Sequence, residues 1–244
     1  MCTVSFVPNS NGFLIGMNRD EQRSRVMGNP PSIRRCGDLA ALYPSEPGGG
    51  TWVGVNSAGI CAALINWYSR SQEQGKAPVS RGTIIPHLMG CLNLEQIDRS
   101  LMTLPLDHMN PFRLFIIGRE SGVVREYRSE GTDFEQLEHP WLTGHWFSSG
   151  IHETSVAATR GAVCSKANSE PDAGTLRWLK RLHSSHDPEE GESSICMHRH
   201  DAVTVSMTLL QFQNQTVSMS YHKGSPCQIA GEASHNSRLM IGPI

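Results

Sequence analysis

The chain lacks any run of about 18 apolar residues, the least that a helical membrane span needs, so no membrane span is expected. It also lacks a basic cluster: 21 Lys and Arg stand against 23 Asp and Glu, a net charge of -2. Nucleic acid and anionic membrane surfaces demand gathered positive charge, so neither is expected as the principal partner. The N-terminus has no basic stretch leading into an apolar run and a small-residue cleavage site, so no signal peptide is expected. Cysteine framework spacing is missing too. Seven cysteines, an odd number, stand singly at Cys2, Cys36, Cys61, Cys91, Cys164, Cys196 and Cys227. That pattern suits free thiols in a reducing compartment, and a cytoplasmic location is the expectation. No internal repeat and no compositional break marks a linker, so residues 1–244 are read as a single domain large enough to bury a full core.

What is present reads as strand pairs alternating with helices. Apolar runs at Thr3–Pro8 and Gly12–Arg19 flank a polar turn, with Asn11-Gly12 as its expected centre. A polar, Pro- and Gly-rich stretch from about 21 to 50 reads as a long excursion with little regular structure. Thr51–Asn66 reads as a second hairpin turning at Asn56–Gly59, and the polar segment after it, to Gly82, as a loop. Helical spacing follows at Ile84–Cys91 and Asn93–Leu104, where Leu94, Ile97, Leu101 and Leu104 share a face. "FRLFIIG" and "GVVREYRS" form a strand pair around Arg119-Glu120-Ser121. Helices are expected at Val156–Lys166 and Ala173–His183, and an acidic, Ser-rich loop at Ser184–Ser194. "AVTVSMTLLQF" and "TVSMSYHK" form a last pair joined at Asn214-Gln215. Hairpins with helices between them predict an α+β fold of antiparallel sheet packed on helices.

Three features carry chemistry. Cys2 directly follows the initiator methionine, and a small penultimate residue permits its removal. Cys2 would then hold a thiol beside a free α-amine whose reference pKa is near 8, the arrangement of a nucleophile with its own base. Asn18-Arg19-Asp20-Glu21 ends the second run, and a hairpin would bring it beside the chain's start. A cation at Arg19 would lower a thiol pKa, and Asp20 could hold the Cys2 amine by a charge-assisted hydrogen bond. Asn66 closes the apolar strand "CAALIN", where a side-chain amide could donate to the oxyanion of a tetrahedral intermediate. Each feature also has a plain structural reading: a buried strand residue, a charged turn, a strand end.

Taken together, an N-terminal Cys, "NRDE" one hairpin later and "GGTWVGVNSAGICAALIN" resemble the NRDE family, which includes the transport and Golgi organisation protein 2 homologues. That family is similar to the N-terminal-nucleophile hydrolases, which implies a four-layer αββα sandwich of two antiparallel sheets. Resemblance to choloylglycine hydrolase and penicillin V acylase relatives implies Cys2 as nucleophile, Asp20 as the carboxylate near its amine and Asn66 as oxyanion donor. Two positions depart from that pattern. Those enzymes carry an Arg three residues before the Asp, where this chain has Met17, so Arg19 would serve from another backbone position. They also carry a later Asn, where "WFSSG" offers Ser148-Ser149-Gly150, with Ser149 taken as the polar contact. Asn18 and Trp52 complete the expected substrate contacts.

The implied reaction is hydrolysis of an amide C–N bond in a small molecule, through a thioester on Cys2. The alternative is a non-catalytic lipid- or haem-binding or trafficking protein that keeps the fold, since family members are associated with those roles. "CMHRH" (Cys196, His198, His200), with His183 and His186 nearby, suggests metal ligands, because alternate strand residues point the same way. The spacing is not that of a structural zinc site and no second cysteine pair completes it. No metal and no cofactor are expected.

Overall fold

The computed structural model describes residues 2–70, 79–118, 122–228 and 233–242. Strands β1 (Cys2–Asn9), β2 (Gly12–Gln22), β3 (Asn29–Cys36), β4 (Leu39–Ser45), β5 (Val53–Asn56) and β6 (Ile60–Asn66) come first. Helices α1 (Ile84–Leu88) and α2 (Leu94–Leu101) follow, then β7 (Phe112–Gly118), β8 (Val123–Glu130), β9 (Asp133–Pro140) and β10 (Gly144–Ser148). Helices α3 (Glu153–Ala167) and α4 (Leu176–His183) precede β11 (Ala202–Gln213), β12 (Thr216–Lys223) and β13 (His235–Met240). The strands form a six-stranded sheet in the order β10-β1-β2-β11-β12-β13 and a seven-stranded sheet in the order β3-β4-β5-β6-β7-β8-β9.

The chain forms two compact units, the first from 1–27, 142–214 and 218–236, the second from 28–141, 215–217 and 237–244. In the first, β1 and β2 are a tight hairpin in which Asn9 pairs with Gly12. The turn is therefore Ser10-Asn11, and Gly12 opens the returning strand instead of sitting in the turn. Gly12 has φ +149°, and a Cβ there would come within 2.2 Å of the Phe212 carbonyl oxygen, so no side chain fits. One face of this sheet packs Val7, Leu14 and Leu209 against Cys164 of α3 and Trp178, Leu179 and Leu182 of α4. Trp178 Nε1 donates to the Ala167 carbonyl at 3.0 Å, which ties α4 to the end of α3.

In the second unit, Ile84, Ile85 and Leu88 of α1 and Ile97 and Leu101 of α2 pack on Leu64, Leu114, Ile116 and Tyr127. Asn56 fixes the β5–β6 turn: its Oδ1 accepts from the Ala58 and Ile60 N–H groups, and its Nδ2 donates to the Met89 and Cys91 carbonyls. The stretch from 21 to 50, read as irregular, contains β3 and β4. Pro30 and Pro31 give β3 the look of a loop, yet an edge strand needs hydrogen bonds on one side only and tolerates proline. The expected turn at Arg119–Ser121 and residues 71–78 of the expected loop lie outside the described residues. Among the described residues, no helix is long and apolar enough to cross a membrane.

Candidate active site

Residues paired directly across an antiparallel sheet share a face, and neighbours along a strand alternate. Cys2 pairs with Arg19 on one side and with Ser148 on the other, so these three side chains stand on one face of the six-stranded sheet. Thr3, Asn18 and Asp20 stand on the opposite, helix-covered face. The expected neighbours of the thiol therefore divide into two groups, Arg19 beside it and Asp20 behind the sheet.

On the thiol's face all three residues are buried. Burial pushes the Cys2 thiol up, the Asp20 charge adds to that, and the Arg19 guanidinium together with a backbone hydrogen bond from Asp20 pulls it down. Arg19 also donates to Glu21 Oε2 at 3.1 Å. Ser148 Oγ is buried and has no hydrogen-bond partner among the described residues. A buried hydroxyl without a partner carries a penalty of about 1–3 kcal/mol. Ser149, the residue expected in this role, is turned the other way. Its Oγ donates to the Ile151 carbonyl at 2.5 Å, and its N–H faces Glu153 Oε1 at 3.4 Å, so it shapes the entry to α3.

Behind the sheet, Asp20 is held on both carboxylate oxygens. Thr204 Oγ1 donates to Oδ1 at 2.6 Å, and Arg160 Nη1 and Nη2 approach Oδ2 at 3.4 Å. Arg160 also donates to Thr3 Oγ1 at 2.9 Å, so one guanidinium from α3 clamps the first residues of β1 to the end of β2. Both charged side chains are wholly buried. Arg160 was not anticipated, though its position carried a signal. It stands four residues after Val156 and four before Cys164, on the buried stripe of α3, where a lone arginine demands a partner.

Asn18 is also on the helix side and is fully used there. Its Nδ2 donates to the His183 and Ile195 carbonyls at 2.8 and 3.0 Å, and its Oδ1 accepts from His183 Nδ1 at 3.1 Å. With Nδ1 the donor, Nε2 of a neutral His183 accepts from Ser5 Oγ at 2.9 Å. This hydroxyl–imidazole–amide chain has the composition of a catalytic triad without its accessibility. Ser5, Asn18 and His183 are all fully buried, and burial, aided by the charges of His145 and Arg160, holds His183 down to about 3. A base that weak cannot activate a hydroxyl at neutral pH, so the chain holds α4 onto the sheet.

Asn66 and Trp52 belong to the second unit. Asn66 ends β6 opposite Phe112, half-buried, with Nδ2 donating to the Tyr68 hydroxyl at 2.5 Å. Trp52 is buried, and its carbonyl accepts from the Leu64 N–H at 2.9 Å.

Cys2 thus stands at the first strand position, paired with Arg19, while Asn18 pairs with Thr3. The family model described as Transport and Golgi organisation 2 matches residues 1–218. The chain belongs to that family. No curated protein matches it in sequence. Among solved structures, a C2A mutant of the conjugated bile acid hydrolase from Clostridium perfringens is similar at TM-score 0.54 and 11% identity, covering 99% of this chain and 92% of that one. An arginine-to-leucine variant of the same hydrolase gives 0.55 and 9%, covering 98% and 92%. Penicillin V acylase from Agrobacterium tumefaciens gives 0.51 and 10%, covering 91% and 83%. At these identities the likeness shows the fold alone: the α+β, αββα class of the N-terminal-nucleophile hydrolases, as the hairpin order and the opening motifs predict.

Proposed function

We propose that this Transport and Golgi organisation 2 family member is a hydrolase that cleaves a linear amide C–N bond of a small molecule through Cys2. The observation that carries the reading is the pairing of the Cys2 thiol with Arg19 and with the unpartnered Ser148 hydroxyl on one sheet face. Two proteins of similar fold are a conjugated bile acid hydrolase, which has a cysteine at its second position as here, and a penicillin V acylase.

The chemistry requires a chain that begins at Cys2. Its α-amine takes the thiol proton as sulfur bonds to the substrate carbonyl carbon, and returns it to the departing nitrogen as the C–N bond breaks. Water, deprotonated by the same amine, then cleaves the thioester and restores the thiol. Arg19 favours the thiolate that burial opposes. The buried Arg160–Asp20 pair holds the start of β1 against β2, and Asp20 takes the role of carboxylate toward the amine on the strength of its motif. In this reading Ser148, not Ser149, is the polar contact to the reacting group. Asn18 is a positioning residue of the helix side. Asn66 takes the oxyanion role on the strength of its motif, and Trp52 a substrate contact on the same basis. The free cysteines favour a reducing compartment such as the cytoplasm.

Turnover of a panel of N-acyl amides tests the reading. Cys2→Ala should abolish hydrolysis, Asn66→Ala should lower kcat by about 100- to 1000-fold, and Ser148→Ala should lower kcat/KM while Ser149→Ala leaves it near wild type. Hydrolysis that survives Cys2→Ala refutes it.

A second reading, a lipid or haem carrier that keeps the fold, is favoured by the buried, upward-shifted thiol and by the Arg19–Glu21 contact. A thermal shift with haem or acyl-CoA that persists in Cys2→Ala, without turnover, selects the carrier.

A further inference from the structure

The structure gathers a second group of reactive side chains away from Cys2, within the same unit. His186 follows α4, Cys196 and His198 precede β11, and Cys227 lies in the short 3-10 turn Pro226–Gln228 after β12. Their ligand atoms all lie within 4.8 Å of one another. The sequence already places His186, Cys196 and His198 near one another; the fourth ligand was hidden, because the second sulfur comes from 29 residues beyond His198.

The geometry fits one ion. A tetrahedral site with Zn–S of about 2.3 Å and Zn–N of about 2.0–2.1 Å separates sulfur from nitrogen by about 3.6 Å. His198 Nε2 lies 3.6 Å from Cys196 Sγ and 3.3 Å from Cys227 Sγ. His186 Nε2 is buried without a hydrogen-bond partner among the described residues, and its ring meets that of His198 edge-on at 5.0 Å. On the far side of both rings stands one carboxylate: Glu190 lies 3.7 Å from His186 Nδ1 and 3.9 Å from His198 Nδ1. At those distances Glu190 makes no direct hydrogen bond to either ring, but it stands on the side from which a second-sphere carboxylate serves histidine-ligated zinc.

The backbone around the group is already fixed. The Cys196 N–H donates to the Ser185 carbonyl at 2.9 Å, and the His198 N–H to the Gly191 carbonyl at 3.1 Å. Ser194 Oγ donates to the Cys196 carbonyl at 2.7 Å, and Ser225 Oγ to the Thr204 carbonyl at 2.9 Å, which anchors the turn that carries Cys227.

We propose that His186, Cys196, His198 and Cys227 form a tetrahedral zinc site. Two thiolates and two neutral imidazoles suit zinc among the common divalent ions, and the two thiol protons pass to solvent on binding. The ion pins the 184–200 segment to the turn after β12. That segment supplies the Met197 N–H to Thr204 Oγ1 at 2.8 Å, and Thr204 in turn donates to Asp20. The site is structural: four protein ligands leave no open position, and it stands or falls independently of hydrolysis at Cys2.

The test is metal content of the reduced, full-length protein by native mass spectrometry, with cobalt(II) titration as optical probe. One zinc per chain is expected. Cobalt should give thiolate-to-metal charge-transfer and tetrahedral d–d bands that saturate at one equivalent and disappear on adding zinc. Cys227→Ser and His186→Gln, both outside the buried core, should weaken metal affinity at least tenfold, and Glu190→Gln about 10- to 100-fold. Cys2→Ala should leave the bands unchanged. Reduced protein of native circular dichroism that takes up no metal overturns the proposal. So do a metal affinity and band intensity unchanged in Cys227→Ser, or bands that vanish in Cys2→Ala.

Discussion

Acidification offers a sharp test of the helix-side network. His183 is fully buried and neutral, with Nδ1 directed to Asn18 and Nε2 to Ser5. Its pKa is held down to about 3, first by burial, against about 6.5 in an unfolded chain. The folded pKa is the lower one, so between these values the unfolded chain binds the extra proton. Stability is therefore complete above about pH 6.5 and falls with pH toward about 3, by about 1.4 kcal/mol per pH unit. From pH 6.5 to 4.5 the loss from this one group is about 3 kcal/mol, a large share of the roughly 5–15 kcal/mol that holds a domain folded. Urea midpoints at half-unit steps of pH, for wild type and for His183→Gln, isolate the contribution. The variant should be weaker at pH 7 and should lose about 3 kcal/mol less than wild type over the window. Parallel curves would refute the assignment of a buried neutral imidazole at this position.

Two further substitutions probe the same face. Arg160→Met leaves Asp20 buried without its cation, and urea unfolding should record a loss of about 3–5 kcal/mol; a change under 1 kcal/mol would mean that Thr204 alone satisfies the carboxylate. Gly16→Ala places a Cβ 2.7 Å from His183 Nε2, so α4 must shift, at about 1–3 kcal/mol by thermal unfolding. A neutral Gly16→Ala would show the helix to be loosely seated.

The opening hairpin, the β5–β6 turn and the last strand pair were legible because apolar alternation and turn residues agree there. The edge strands were not. β3 and β9 expose much of their length, so nothing buried imposes alternation on their sequences. β10 is short, five residues, and the sequence names the Ser148 that ends it only as a candidate site position, not as a strand residue. At the candidate site, hairpin logic brought the NRDE segment beside Cys2, but the expected turn at Asn11-Gly12 would set Glu21 opposite it; the turn at Ser10-Asn11 makes that partner Arg19. The choice between Ser148 and Ser149 could not be made from sequence, because a one-residue change of register reverses the face. Arg160 and Cys227 join their clusters through tertiary contacts across 140 and 29 residues. No local spacing encodes such contacts, although a lone arginine on a buried helix stripe is a usable warning.

The central claim is that the second residue of this chain becomes an N-terminal nucleophile. The most direct measurement is the intact mass of the purified protein, before and after exposure to a panel of electrophilic amides and β-lactams, with the modified residue located by peptide mapping. The account predicts a chain beginning at Cys2 that gains a single acyl group there, lost in Cys2→Ala. A chain that retains Met1, or a Cys2 left unmodified across the panel, would contradict it.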